Sequence, residues 1–132
     1  DKDILLAVKE GPIINDALLA DARSCGLDQL CEVITNGTAC PGTPLAHCSP
    51  SFLEAFHQAD LIISKGQGNF ETLSTTKAPL YFLLTIKCGV VASHVAALSG
   101  SRVEVGDRIF RRSPTSQKKE SPPRGRARGK IS

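Results

Sequence analysis

Apolar residues fall in short, nearly unbroken runs set between polar, glycine-containing stretches. Residues 4–8, Glu32–Thr35, residues 61–64 and Leu80–Thr85 have the length and Ile/Leu/Val content of buried strands, and residues 89–92 read as a further short one. Between them the apolar spacing becomes helical. Ala17, Leu18, Ala22 and Cys25 recur at near-helical intervals behind Asn15 or Asp16 as a cap, and Gly26 stops that helix. Phe52, Leu53, Phe56 and Ala59 form a second apolar stripe behind Ser49 or Ser51. A short helix over residues 70–74 completes the series.

Strands without strict polar alternation, separated by amphipathic helices, predict an α/β fold. The expected architecture is a three-layer α/β/α sandwich with a mostly parallel sheet covered on both faces. In such sheets ligands collect beyond the carboxyl ends of the strands. The loops after Val8, Thr35 and Ser64 should therefore lie near one another, and they hold most of the polar and glycine residues of the chain.

Charge divides the chain of 132 residues in two. Residues 1–107 carry 7 Lys+Arg against 12 Asp+Glu, net −5, whereas residues 108–132 carry 9 against 1, net +8. The second stretch, RIFRRSPTSQKKESPPRGRARGKIS, has too little apolar surface to offset its ordering entropy and reads as a disordered basic tail. The expected organisation is an α/β domain over 1–107 and a tail over 108–132. No apolar run approaches the roughly 20 residues of a membrane helix, and the amino-terminal residues lack a signal-peptide pattern, so the expected compartment is the cytoplasm. Five cysteines form no CxxC pair, and their odd number speaks for reduced thiols. The three histidines have no metal-ligand spacing, and no nucleophile–base arrangement stands out.

Three places carry candidate chemistry. In SKGQGNFE a lysine and two glycines lie between a strand and a helix, where backbone N–H groups and the helix dipole can meet an anion. Gly66 and Gly68 permit close backbone approach, Lys65 brings a compact cation, and Asn69 caps the helix or donates to an oxygen. On spacing alone, a plain glycine turn and an anion site both stand. In IIND the adjacent Asn15 and Asp16 suit a hard divalent cation or, equally, a helix cap. Lys87, in LLTIKCGVV, interrupts apolar sequence and reaches either solvent or the same crevice as Lys65.

The succession KEGPIINDALLADA, VITNGTACPGTPL, ADLIISKGQGNFETL and YFLLTIKCGVVA, over residues 3 to about 93, resembles the carboxyl-terminal half of the metal-dependent damage-control phosphatases. These were formerly domain of unknown function 89, and the likeness is to their prokaryotic-type subfamily. It implies an α/β/α fold with a divalent cation (Mn²⁺, Mg²⁺, Co²⁺ or Ni²⁺) at the carboxyl edge of the sheet. It also implies hydrolysis of phosphorylated small metabolites or sugar phosphates. By the same resemblance Asp16, beside Asn15, stands where the family has a metal-ligand aspartate. Lys65, with Gly66, Gly68 and Asn69, stands at the phosphate loop, and Lys87 matches a second lysine near the substrate.

The family also has an upstream Asp-Asn-Ala-Gly-Glu loop that supplies further metal ligands, and no such loop occurs here. The resemblance therefore implies a truncated domain that begins partway through the fold and is inactive as it stands. The alternative is a non-catalytic binding module whose basic tail contacts nucleic acid or acidic partners through phosphate neutralisation. A dinucleotide-binding reading lacks the first glycine of the fingerprint and an acidic residue for the ribose.

Overall fold

The computed structural model describes residues 3–113. The elements run β1 (Leu5–Val8), α1 (Leu19–Ser24), β2 (Glu32–Thr35), α2 (Pro50–Gln58), β3 (Ile62–Lys65), α3 (Gln67–Leu73), β4 (Leu80–Thr85), α4 (Gly89–Ser99) and β5 (Arg108–Arg112). β1 and β2 pair in parallel, with Val8 opposite Thr35. β3 and β4 pair in parallel, with Lys65 opposite Leu83, and β5 adds to β4 antiparallel. The fold is α/β with mostly parallel pairing.

The core lies on one face of β3–β4–β5. Leu80, Phe82 and Leu84 are buried on β4, against Phe52 and Phe56 of α2, Phe70 and Leu73 of α3, and Val91, Ala92 and Val95 of α4. Phe70 and Phe82 are fully buried and meet edge to face, ring centroids 5.1 Å apart, the arrangement that aromatic quadrupoles prefer. Ile34 of β2 packs against the same cluster. The opposite face carries Ile63, Leu83 and Phe110 exposed, with Tyr81 stacked on Phe110 at 5.8 Å. The strands are thus apolar on both faces, and among the described residues the helices cover one of them.

Local signals explain most boundaries. Ser49 caps α2, its Oγ accepting from the Phe52 N–H at 3.3 Å, and Pro50 occupies the first helical position, where no N–H is needed. Three sequence expectations are corrected. Residues 89–92 are the first turn of α4, which runs to Ser99 and ends on left-handed Gly100; the valines look strand-like, but Val91, Ala92 and Val95 share one buried helix face. Asn15 and Asp16 do not cap α1. That helix begins at Leu19, and the Leu18 N–H is satisfied by the Asp21 carboxylate at 2.8 Å.

The third correction concerns the basic stretch, whose first residues form β5. Arg111 secures that strand by donating to the Val95 and Leu98 carbonyls of α4, near the negative end of the helix dipole. Residues 114–132, and with them the nucleic-acid reading of the tail, lie outside the described residues. No helix among the described residues is long and apolar enough to cross a membrane.

Candidate functional site

The passage from β3 to α3 takes a single residue. Lys65 ends the strand, Gly66 turns the chain with φ of 102°, and α3 begins at Gln67. Gly68 and Asn69 therefore lie inside the first helical turn rather than in a loop, so the connection is tighter than the sequence implied. A φ of 102° favours glycine, and nothing stands within 4 Å of where a Cβ would be, which leaves the backbone open to a ligand. The N–H groups of the first turn have no acceptor within the helix and lie beside the exposed Lys65.

Asn69 fixes this turn. Its Nδ2 donates to the Lys65 carbonyl at 2.9 Å, and its Oδ1 accepts from the Thr43 hydroxyl at 2.7 Å. The Lys65 carbonyl can only accept, which sets the amide with nitrogen toward Lys65 and oxygen toward Thr43. Both ends of Asn69 are thus engaged within the protein. Lys87 sits two residues past β4, at the same edge, and its N–H donates to Gln67 Oε1 at 2.8 Å. Gln67 ties the first turn of α3 to the connection that carries the second lysine, while both ammonium groups remain exposed.

The loop after β2 seats against α3. A Cβ on Gly42, φ 68°, would come within 2.4 Å of the Gly68 carbonyl and 2.7 Å of the Thr72 side chain, so only glycine lets these backbones meet. Next to it the Thr43 N–H donates to Thr72 Oγ1 at 2.8 Å. The loop after β1 joins from the other side: the Glu10 N–H donates to the Thr38 carbonyl at 3.3 Å. The buried Lys9 donates through Nζ to the carbonyls of Cys40, at 2.8 Å, and Gly42. Burial pushes the Lys9 ammonium pKa down, and the Asp16 carboxylate partly restores it. The loops after β1, β2 and β3 thus meet through these contacts, although β1–β2 and β3–β4–β5 form two separate sheets.

Asp16 and Asn15 are less well placed. They occupy an exposed turn in which the Asp16 N–H donates to the Ile13 carbonyl at 3.0 Å, and Ile14 takes a left-handed φ of 50°. Among the described residues no group of three His, Cys, Asp or Glu side chains is arranged to hold a metal ion. One carboxylate and one amide oxygen fall short of the oxygen shell a hard divalent cation demands, so these residues do not by themselves fit such an ion.

Lys9, Gly42, Thr43, Gln67 and Thr72 escaped sequence reasoning. Only Gly42, in a Pro-Gly turn, carried a local signal; the others act through partners 20 to 33 residues away.

The chain as a whole is similar to known proteins. The model of the damage-control phosphatase ARMT1-like domain matches residues 1–103. A damage-control phosphatase of Pyrococcus horikoshii is 48% identical over 102 residues, which cover 76% of this chain and 36% of that protein. An uncharacterised protein of Methanocaldococcus jannaschii is 42% identical over 114 residues, covering 83% and 36%. A damage-control phosphatase of Archaeoglobus fulgidus is 39% identical over 108 residues, covering 80% and 35%. The crystal structure of a DUF89 family protein from P. horikoshii superposes with a TM-score of 0.76 at 45% identity, over 84% of this chain and 37% of that one. The chain spans little more than a third of the length of the relatives it matches.

Proposed function

This chain belongs to the damage-control phosphatase ARMT1-like family, and from that premise we propose that it forms the phosphate-holding side of a phosphatase site for phosphorylated small metabolites or sugar phosphates. One observation carries the reading. Lys65 and the open first turn of α3 meet at Gly66, and Gln67 fastens the Lys87 connection to that same turn.

A phosphoryl dianion placed there accepts from the free N–H groups of α3 and faces the Lys65 ammonium. Lys87 adds a second positive charge, which suits a substrate that carries two negative charges. The exposed carbon skeleton of a metabolite then extends into solvent from the sheet edge. Asn15 and Asp16 are two oxygen donors toward a divalent cation such as Mn²⁺, Mg²⁺, Co²⁺ or Ni²⁺ and do not complete its shell. Turnover on this reading requires donors beyond the described residues, and this chain alone binds phosphate without hydrolysing its esters.

Two assays test the proposal. Line broadening of the ³¹P resonances of sugar phosphates is expected with the wild-type chain and is expected to vanish with Lys65→Ala at unchanged circular dichroism; equal broadening by both proteins defeats the proposal. With Mn²⁺ or Co²⁺ added, phosphate release at the buffer rate is expected. Release above that rate, abolished by Asp16→Ala, would show a complete cation site and overturn the half-site reading.

A further inference from the structure

The residues around Lys65 form a continuous chain of contacts that begins just past β1. Lys9, buried at the end of β1, holds the carbonyls of Cys40 and Gly42. Gly42 lies against Gly68 and Thr72, and Thr43, buried beside it, donates its hydroxyl to Asn69 Oδ1 at 2.7 Å. Asn69 in turn donates to the Lys65 carbonyl at 2.9 Å. Thr43 also anchors its own backbone, through its N–H to Thr72 Oγ1 at 2.8 Å, so the hydroxyl is aimed rather than free to search.

From this we infer that Thr43 is a positioning residue for the phosphate-binding lysine, acting through Asn69, and that Lys9 sets Thr43 by gripping the loop that carries it. The inference rests on the reading of Lys65 as a phosphate ligand. Without the Thr43 hydroxyl, Asn69 Oδ1 loses its donor in a partly buried place, and the amide gains by turning toward water. Once it turns, Nδ2 no longer holds the Lys65 carbonyl, and the one-residue turn at Gly66 is left without its brace. The loops after β1 and β2 thereby tune an affinity located after β3. No residue of this relay other than Lys65 and the α3 turn needs to touch the ligand.

The test uses the full chain, glucose 6-phosphate as probe, and the variants Thr43→Val, Thr43→Ser and Lys9→Met. Thr43→Val keeps the shape and the backbone anchor, and is expected to weaken binding about fivefold, the factor expected for loss of one neutral hydrogen bond, while Thr43→Ser restores the wild-type affinity. Without any ligand, the Asn69 side-chain amide and the Lys65 carbonyl carbon are expected to shift in the NMR spectrum of Thr43→Val and to stay in place in Thr43→Ser. Lys9→Met is expected to move the Thr43 and Asn69 resonances together.

If Thr43→Val binds the probe like the wild type, or if the Asn69 amide does not shift, the positioning role is overturned. A merely structural Thr43 would lower the thermal midpoint without touching either readout, and Thr43→Ser would then have no binding to rescue. If the wild type itself fails to bind the probe while the Asn69 shifts follow the expectation, the assignment of Lys65 to phosphate has failed and the inference falls with it. That result differs from failure of the relay alone, in which wild-type binding persists.

Discussion

The connections that follow β3 and β1, strands of two separate sheets, are built to different standards. After β3, Lys65 and the turn at Gly66 stand on Phe70, which is fully buried, and are tied sideways by Asn69, Thr43, Thr72 and Gln67. After β1, the turn that carries Asn15 and Asp16 projects from the surface, and Ile14 is 88% exposed at φ 50°, a conformation costly for a branched side chain. The first arrangement is held by contacts within the protein, so on the proposed reading little ordering entropy opposes the binding of an anion there. The second offers oxygen atoms without the shell that would make them a cation site. On the proposed reading, a braced phosphate side stands next to a metal side that the described residues do not complete.

The largest expected effect lies in stability. Phe70→Ala empties the centre of the core and should cost about 3–5 kcal/mol, whereas Ile14→Gly relieves a left-handed branched residue and should raise stability by up to about 1 kcal/mol. Urea unfolding of both variants checks the ordering, and a destabilised Ile14→Gly would show the β1 turn to be as firmly built as the β3 turn. Next comes the contact between loops. Gly42→Ala drives a methyl group into the Gly68 carbonyl and Thr72 and should cost about 2–3 kcal/mol, seen as a lowered thermal midpoint.

Lys65→Ala sharpens the comparison by separating affinity from stability. Loss of a charged donor should weaken sugar-phosphate binding by about tenfold to a hundredfold with the thermal midpoint unchanged. The smallest effect concerns pH. Burial holds the Lys9 ammonium below the ordinary 10.5, so between its lowered folded value and 10.5 the unfolded chain binds more protons than the folded one. Stability contributed by Lys9 therefore rises with pH across that alkaline window, and Lys9→Met should flatten the rise in urea titrations.

Much of this arrangement was legible in the sequence because its signals are local. Apolar runs marked β1 to β4, Ser49 marked the start of α2, and a lysine followed by Gly-x-Gly marked the turn after β3. The failures have a common cause in tertiary context. Valines at 90 and 91 look like a strand until Val95 completes a buried helix face, and Arg108–Arg112 looks like tail until Arg111 finds the carbonyl end of α4. Asp16 has the chemistry of a cap, yet the helix starts three residues later, with Leu18 at the cap position and Asp21 inside the first turn accepting from the Leu18 N–H. Thr43 and Lys9 carry no local mark, since their partners lie on other loops.

Calorimetric titration of glucose 6-phosphate in the presence of a chelator tests the central claim most directly, with wild type, Asp16→Ala and Lys65→Ala side by side. Wild type and Asp16→Ala are expected to bind equally without any divalent cation, and Lys65→Ala to bind at least about tenfold more weakly. Binding that appears only when Mn²⁺ is supplied, is lost in Asp16→Ala and is kept by Lys65→Ala would contradict the account.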